Sequence, residues 1–388
     1  MQQLLKNTVS VGPKWMKLCY CAVLLTFFWT SCEEVKPTPN TGNELDYAKN
    51  LSITAASYGH IVEIKNPWPN STKNYRYLFL KPNHQAPEEA AFDAVLQLPL
   101  KRIVLTATHQ VAALDLLGKT KQLVGFPQTQ FISNANALAR VSAGTLKNIG
   151  TLQQLDIEQI LALQPDVLIG FGINSENADF QQLKALGIPL IFDAGWMEQH
   201  PLGRAEWIKF FGIVTQAQAK ADSLFETVSE QYQKVIDNLQ NVKSQPTIHS
   251  GALYESVWYL PGGASFMANY FKDAKGHYLW AKNKQQGSLS LSIENVFQRA
   301  QDADFWFGPG VFTSAANLKA TNTLYGRFKA FNTNKIYTYN KTLGPTGGTL
   351  FFEKATFEPH IVLQDIAFWL HPKQFPNYSP YYFKPLDP

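Results

Sequence analysis

The sequence predicts an α/β protein of two lobes, each a mainly parallel sheet flanked by helices, joined by one long helix and preceded by a small β-rich addition. Three observations carry this expectation. From residue 101 onward, short apolar strands alternate with helical segments, the pattern of a parallel sheet covered on both faces. A near-repeat occurs once in each half: Leu155-Asp156-Ile157-Glu158-Gln159-Ile160 returns as Leu291-Ser292-Ile293-Glu294-Asn295-Val296. Between the two copies lies a long stretch with apolar residues at three- and four-residue steps.

Residues 43–100 show strand-like alternation in Leu51-Ser52-Ile53-Thr54 and in Tyr75 to Leu80, separated by the turn Asn66-Pro67-Trp68-Pro69-Asn70. The first lobe, 101–200, opens with the buried strand Arg102 to Leu105, a helix from Gln110 to Leu117 and a second strand at Gln122 to Gly125. Two further helix and strand pairs follow, Ile157 to Leu163 with Val167 to Ile169, and Asp179 to Leu186 with Pro189 to Phe192. In the linking segment, 201–243, Ala221, Leu224, Val228, Tyr232, Val235 and Leu239 mark one face of a helix from about Thr215 to Asn241. The second lobe, 244–388, repeats the scheme with Pro246 to Ile248, Trp258 to Leu260, a helix from Ser290 to Arg299, Phe305 to Phe307, Lys335 to Tyr339, and a closing helix from Pro359 to Leu370.

At 388 residues the chain can bury two cores of ordinary size. Charged residues make up only 16%, the net charge is +4, and no basic stripe is present, which excludes a nucleic-acid partner from the expectation. Aromatics reach 13%, a balance suited to a stacking or apolar ligand pocket as well as to large cores.

Residues 1–31 read as a signal peptide. Lys6, Lys14 and Lys17 precede the apolar run from Leu18 to Trp29, which is too short for a comfortable span, and the small residues Thr30 and Ser31 precede Cys32. This pattern resembles a bacterial lipoprotein signal, with Trp29 where a smaller aliphatic is usual and Cys32 as the lipidated residue. Cys19 and Cys21 fall inside the run, so cleavage leaves one cysteine and a body held together by packing. Residues 32–42, rich in Pro, Thr, Asn and Gly, have the composition of a tether. The expected location is exported and lipid-anchored, at the periplasmic face or the outer surface of a bacterial cell.

The run Leu155 to Gly170, together with Gly118-Lys119, Leu123 to Gly125, Leu186 to Pro189 and Leu291 to Phe307, resembles periplasmic-binding-protein-type receptors for iron-siderophore complexes, cobalamin and haem, the class whose lobes are linked by a single helix. The resemblance covers roughly 100–370; the region 43–100 and the tail lie outside it. It implies the substrate-binding lipoprotein of an ABC importer, a monomer that captures a metal chelate, first among them a ferric siderophore, and delivers it to a permease dimer with its ATPase. It also implies that Glu158 and Glu294, one per lobe, dock onto permease arginines. Exposed carboxylates in two first helical turns suit bidentate pairing, although a helix dipole alone stabilises such a residue by about 0.3–1 kcal/mol. Cobalamin or haem is the alternative ligand of the same class. No cofactor is expected apart from that cargo.

Loops after strands face the cleft in open α/β sheets. The ligand candidates are therefore Thr106, Thr108 and His109, then Phe126 and Gln128, Phe171 and Asn174, and Trp196 and Met197 from the first lobe. The second lobe offers Tyr254, Trp258, Tyr259, Pro309 and Phe312. The eight histidines are scattered, so no bare-metal site is expected, though Tyr254, Tyr259 or His277 suits haem iron. A Gly-x-Ser-x-Gly elbow, a phosphate-cradling Gly-x-x-x-x-Gly-Lys-Thr loop (Gly118-Lys119-Thr120 has Ala113 in place of the first glycine) and a His-Glu-x-x-His helix are lacking, and the expectation is a protein that is not an enzyme; a surface-anchored hydrolase is the alternative from another class. An adhesion domain would need an all-β pattern after residue 100.

Overall fold

The computed structural model describes residues 45–388 apart from 70, 89 and 173–176. The expected signal peptide and tether, with Cys32, lie outside the described residues, as does the ligand candidate Asn174. Among the described residues no helix is long and apolar enough to cross a membrane.

The addition forms a four-stranded sheet of β1 (Leu51–Ala56), β2 (Gly59–Ile64), β3 (Tyr75–Leu80) and β4 (Ala94–Gln97) in sequential order. The first three strands pair antiparallel, and β4 joins parallel to β3. The sequence reading left the residues between Thr54 and the turn at Asn66 unassigned; they include β2, whose Ile61, Val62 and Ile64 are buried.

The first lobe is built on β5 (Ile103–Leu105), β6 (Leu123–Phe126), β7 (Lys147–Asn148), β8 (Val167–Gly170) and β9 (Leu190–Phe192). All are parallel, in the order β7-β6-β5-β8-β9. Strand order reverses between β5 and β8, the point at which open sheets bind ligands. Their side chains, from Ile103 to Leu105 and from Val167 to Ile169, are wholly buried, which explains why they read as continuous aliphatic runs.

In the second lobe come β10 (Thr247–Ser250), β11 (Ala252–Tyr254), β12 (Val257–Pro261), β13 (His277–Tyr278), β14 (Ser288–Leu291), β15 (Phe305–Phe307), β16 (Ile336–Thr338) and β17 (Lys384–Pro385). The main sheet runs β13-β10-β15-β16-β17, parallel except for the antiparallel last strand, and reverses between β10 and β15. A separate antiparallel sheet, β11-β12-β14, stands beside it. The expected helix from Ser290 therefore starts later, at Ile293, because residues 288–291 pair with β12.

Duplication is visible atom by atom. Asp166, at the start of β8, accepts the backbone N–H groups of Lys101 and Arg102 at 2.6 and 2.8 Å; Asp304, at the start of β15, accepts Thr247 N–H at 2.9 Å. At the other end of the strands, the Thr106 hydroxyl donates to the Ile169 carbonyl at 3.5 Å and the Ser250 hydroxyl donates to that of Phe307 at 2.7 Å. Each lobe thus clamps its switch-point strands twice with matching side chains.

The expected long helix, about Thr215 to Asn241, is present as Gln218–Asn238, and a separate shorter helix precedes it. Ile208–Thr215 ends at Gln216 in a left-handed conformation, and Gln218–Asn238 then runs for 21 residues, about 32 Å at the usual rise. Its Ala221, Phe225, Tyr232 and Val235 are buried. The closing helix spans Pro359–Leu370 as expected and packs against it.

Candidate functional site

At the β5/β8 switch point the chain builds a polar floor. Thr106, buried at the end of β5, takes the Phe171 N–H on its hydroxyl at 2.7 Å, and its own N–H donates to the Gln110 side chain at 3.0 Å. His109 and Gln110, in the first turn of the helix Thr108–Leu116, both reach Asp193 immediately after β9. His109 Nε2 lies 2.7 Å and Gln110 Nε2 3.0 Å from Asp193 Oδ2, while Gly195 N–H donates to Oδ1 at 2.9 Å. Burial alone would raise the Asp193 carboxyl, but His109, Gln110 and the Gly195 amide together hold it below the ordinary carboxylate range. A buried carboxylate with these partners fixes the orientation of the His109 ring.

An aromatic series runs from this floor: the His109 and Phe171 rings are 6.2 Å apart, and Phe171 and Trp196 5.7 Å. Trp196 and Met197, in the turn after β9, then line a cavity of about 1380 Å³. Its other walls are the 46–71 segment of the addition, the 261–269 segment before and within the helix Phe266–Asp273, and the 284–288 loop. Typical small-molecule pockets are about 300–1,000 Å³, so this space suits a large ligand better than an ion.

The lobes touch at two seams. At one, Asn269 Nδ2 donates to the Gln199 carbonyl at 2.9 Å, and the Arg204 guanidinium lies 4.0 Å from the Phe266 ring. At the other, Ser133 N–H donates to Glu353 Oε2 at 2.7 Å, and Gly344 approaches so closely that a Cβ there would stand 2.3 Å from Ser133.

Of the other ligand candidates, Thr108 and Gln128 are partly exposed after β5 and β6, Gln128 in a left-handed conformation, and Tyr254 and Tyr259 are exposed on the β11-β12 hairpin. Phe126 ends β6 and is buried. Phe312 packs edge-on to Tyr325, and Pro309 is buried. Trp258 requires a correction: it is fully enclosed among His249, Tyr325, Trp306 and Phe328, with its indole donating to the Ser250 carbonyl at 3.0 Å. Period-two alternation along β12 turns Trp258 and Leu260 inward and Tyr259 outward. Asp193 and Gln110 were missed; a carboxylate directly after an aliphatic strand was the available signal. Among the described residues no group of three or more His, Cys, Asp or Glu could hold a metal ion.

Glu158 and Glu294 occupy equivalent places. Each is exposed and second in its helix, Ile157–Leu163 or Ile293–Ala300. Asp156 caps the first by accepting Gln159 N–H at 2.9 Å, and Ser292 caps the second by accepting Asn295 N–H at 3.3 Å. The Glu294 backbone N–H and then the Ser292 hydroxyl hold its carboxyl below the ordinary range.

Residues 103–343 match the periplasmic binding protein family. The chain is 24% identical over 364 residues to an uncharacterized lipoprotein of Methanocaldococcus jannaschii, covering 87% of this chain and 84% of that one. Such a share exceeds what residues 101–388 alone provide, so the likeness runs into the β-rich addition. Among solved structures, a possible iron-binding periplasmic solute-binding protein of Staphylococcus epidermidis superposes with a TM-score of 0.56 at 15% identity, over 70% of this chain and 99% of that one. A periplasmic heme binding protein of Pseudomonas aeruginosa gives 0.56 at 18% identity, over 75% and 99%.

Proposed function

The chain belongs to the periplasmic binding protein family, and from that premise we propose that it is the lipid-anchored solute receptor of an ABC importer, capturing a metal chelate between its lobes and passing it to a permease dimer with its ATPase. A ferric siderophore is the first expectation for the cargo. Cobalamin or haem is the second, in keeping with the heme binding protein among its structural neighbours.

The observation that carries this reading is the His109-Phe171-Trp196 series opening from the switch point onto a cavity of about 1380 Å³. Rings can stack on a macrocycle or an apolar chelate backbone, and the Asp193-oriented imidazole offers a directed polar contact. Iron or cobalt would arrive already wrapped by its chelator, with the protein reading the wrapping.

Two seams and a continuous helix favour small lobe movements on binding. Release then depends on permease contact, for which the exposed, equivalently placed Glu158 and Glu294 are the proposed handles. A spectral titration of the purified chain against ferrichrome, ferrioxamine B, cyanocobalamin and haemin tests the reading. Saturable one-to-one binding of one of them is expected; no binding to any of the four would sink it in favour of a hydrolase or adhesion role.

A further inference from the structure

Resting on the receptor reading, we infer that the β-rich addition is a third wall of the ligand site, and that its 45–71 segment binds a neutral, amide- and hydroxyl-rich arm of the chelate. The segment is fixed rather than draped over the lobe. Glu206 accepts the backbone N–H groups of Asp46, Tyr47 and Ala48 at 2.8–3.1 Å, and Glu198 accepts those of Lys49 and Asn50 at 2.9 Å. Both carboxylates are buried, so breaking these bonds would leave Glu206 with Lys209 alone and Glu198 with the Trp207 indole alone. Farther along, Trp68 and Tyr75 pack on Phe192 of β9 with centroids 5.2 and 5.0 Å apart. The wall is therefore preorganised, and a ligand touching it need not order it.

Its chemistry follows from what faces the cavity. Trp68 gives an aromatic edge, Asn50 and Asn66, bonded to each other at 3.3 Å, give carboxamides, and Gln285 with the carboxamide oxygen of Asn269 lines the opposite side. Glu198 is engaged by backbone amides, and across the lining Lys49 and Lys284 are balanced by Asp46 and Glu198. Such a lining matches uncharged hydrogen-bonding groups better than a phosphate or a carboxylate cluster. Trp196 is common to this chamber and to the switch-point series, so one large ligand can occupy both.

Gly287 provides a clean test. A Cβ there meets nothing within 4 Å and its backbone is unstrained, so Gly287→Trp adds bulk to the chamber without disturbing the fold. In the full chain, with whichever of ferrichrome, ferrioxamine B, cyanocobalamin or haemin binds, Gly287→Trp should weaken affinity at least tenfold at an unchanged melting temperature. Hydrogen exchange should slow on binding in residues 45–71 and 284–288. The double variant Lys284→Ala, Gln285→Ala gives a second route, with an expected loss of severalfold. Unchanged affinity in both variants, or protection confined to residues 106–109 and 171–172, overturns the third wall and leaves the receptor reading standing. Failure of all four probes to bind overturns both.

Discussion

The two lobes share a plan and differ in what fills it. Each clamps its switch-point strands with an aspartate at one end and a hydroxyl at the other, and each carries a capped helix with an exposed glutamate in its first turn. The first lobe fills its central strands with aliphatics and places Thr106, His109, Gln110 and Asp193 at their ends. In the second lobe the interior of the central strand is packed among rings instead: His249 lies between Trp306 at 4.7 Å and Phe328 at 5.0 Å, with Trp258 beside them. The difference teaches that duplication preserved the scaffold and the outward glutamates, while polar chemistry was kept on one side of the cleft and rigid packing on the other.

The largest expected effect strikes the packed side. Trp306→Ala should cost about 3–5 kcal/mol, because Trp306 is fully enclosed and its indole donates to the Gly251 carbonyl. A loss under about 1 kcal/mol by urea unfolding would contradict a rigid aromatic core.

His249 sharpens the contrast through pH. Neither ring nitrogen has a partner, and burial pushes its pKa down to about 3. Because the folded value lies below the ordinary 6.5, the unfolded chain binds the extra proton first. Its contribution to stability is complete above pH 6.5 and falls as pH drops toward about 3, by at most about 1.4 kcal/mol per unit. His249→Phe should flatten that part of the stability profile, and an equally steep acid slope in the variant would show that other groups set it.

On the polar side, Asp193→Asn should weaken binding of a recognised chelate about tenfold, since His109 loses its orienting carboxylate. Affinity unchanged by calorimetry would remove the floor from the site. The smallest effects concern the caps: Asp156→Ala and Ser292→Ala should each cost about 1 kcal/mol, and a marked inequality between them would show that the two helices are less alike than their geometry.

The scaffold was legible in the sequence because aliphatic runs, capping residues and helical spacing are local signals. The near-repeat located both glutamates, and Pro359–Leu370 was read with its observed boundaries. Long-range features were hidden. Nothing near Glu198 or Glu206 announces that they hold residues 46–50, more than 140 positions earlier in the chain. Trp258 was misplaced because an aromatic at a strand end looks the same inward or outward until the alternation of β12 is applied. The long helix was read with ends about three residues beyond Gln218 and Asn238, because the residues around Gln216 and Gln240 interrupt neither polarity nor propensity.

Delivery to a permease is the central claim, and uptake by cells carrying Glu158→Ala with Glu294→Ala tests it most directly. With a chelate shown to bind the purified receptor, the double variant should bind it with unchanged affinity and transport almost none, each single variant falling between. Undiminished uptake in the double variant would contradict the account and return both glutamates to the role of ordinary first-turn residues.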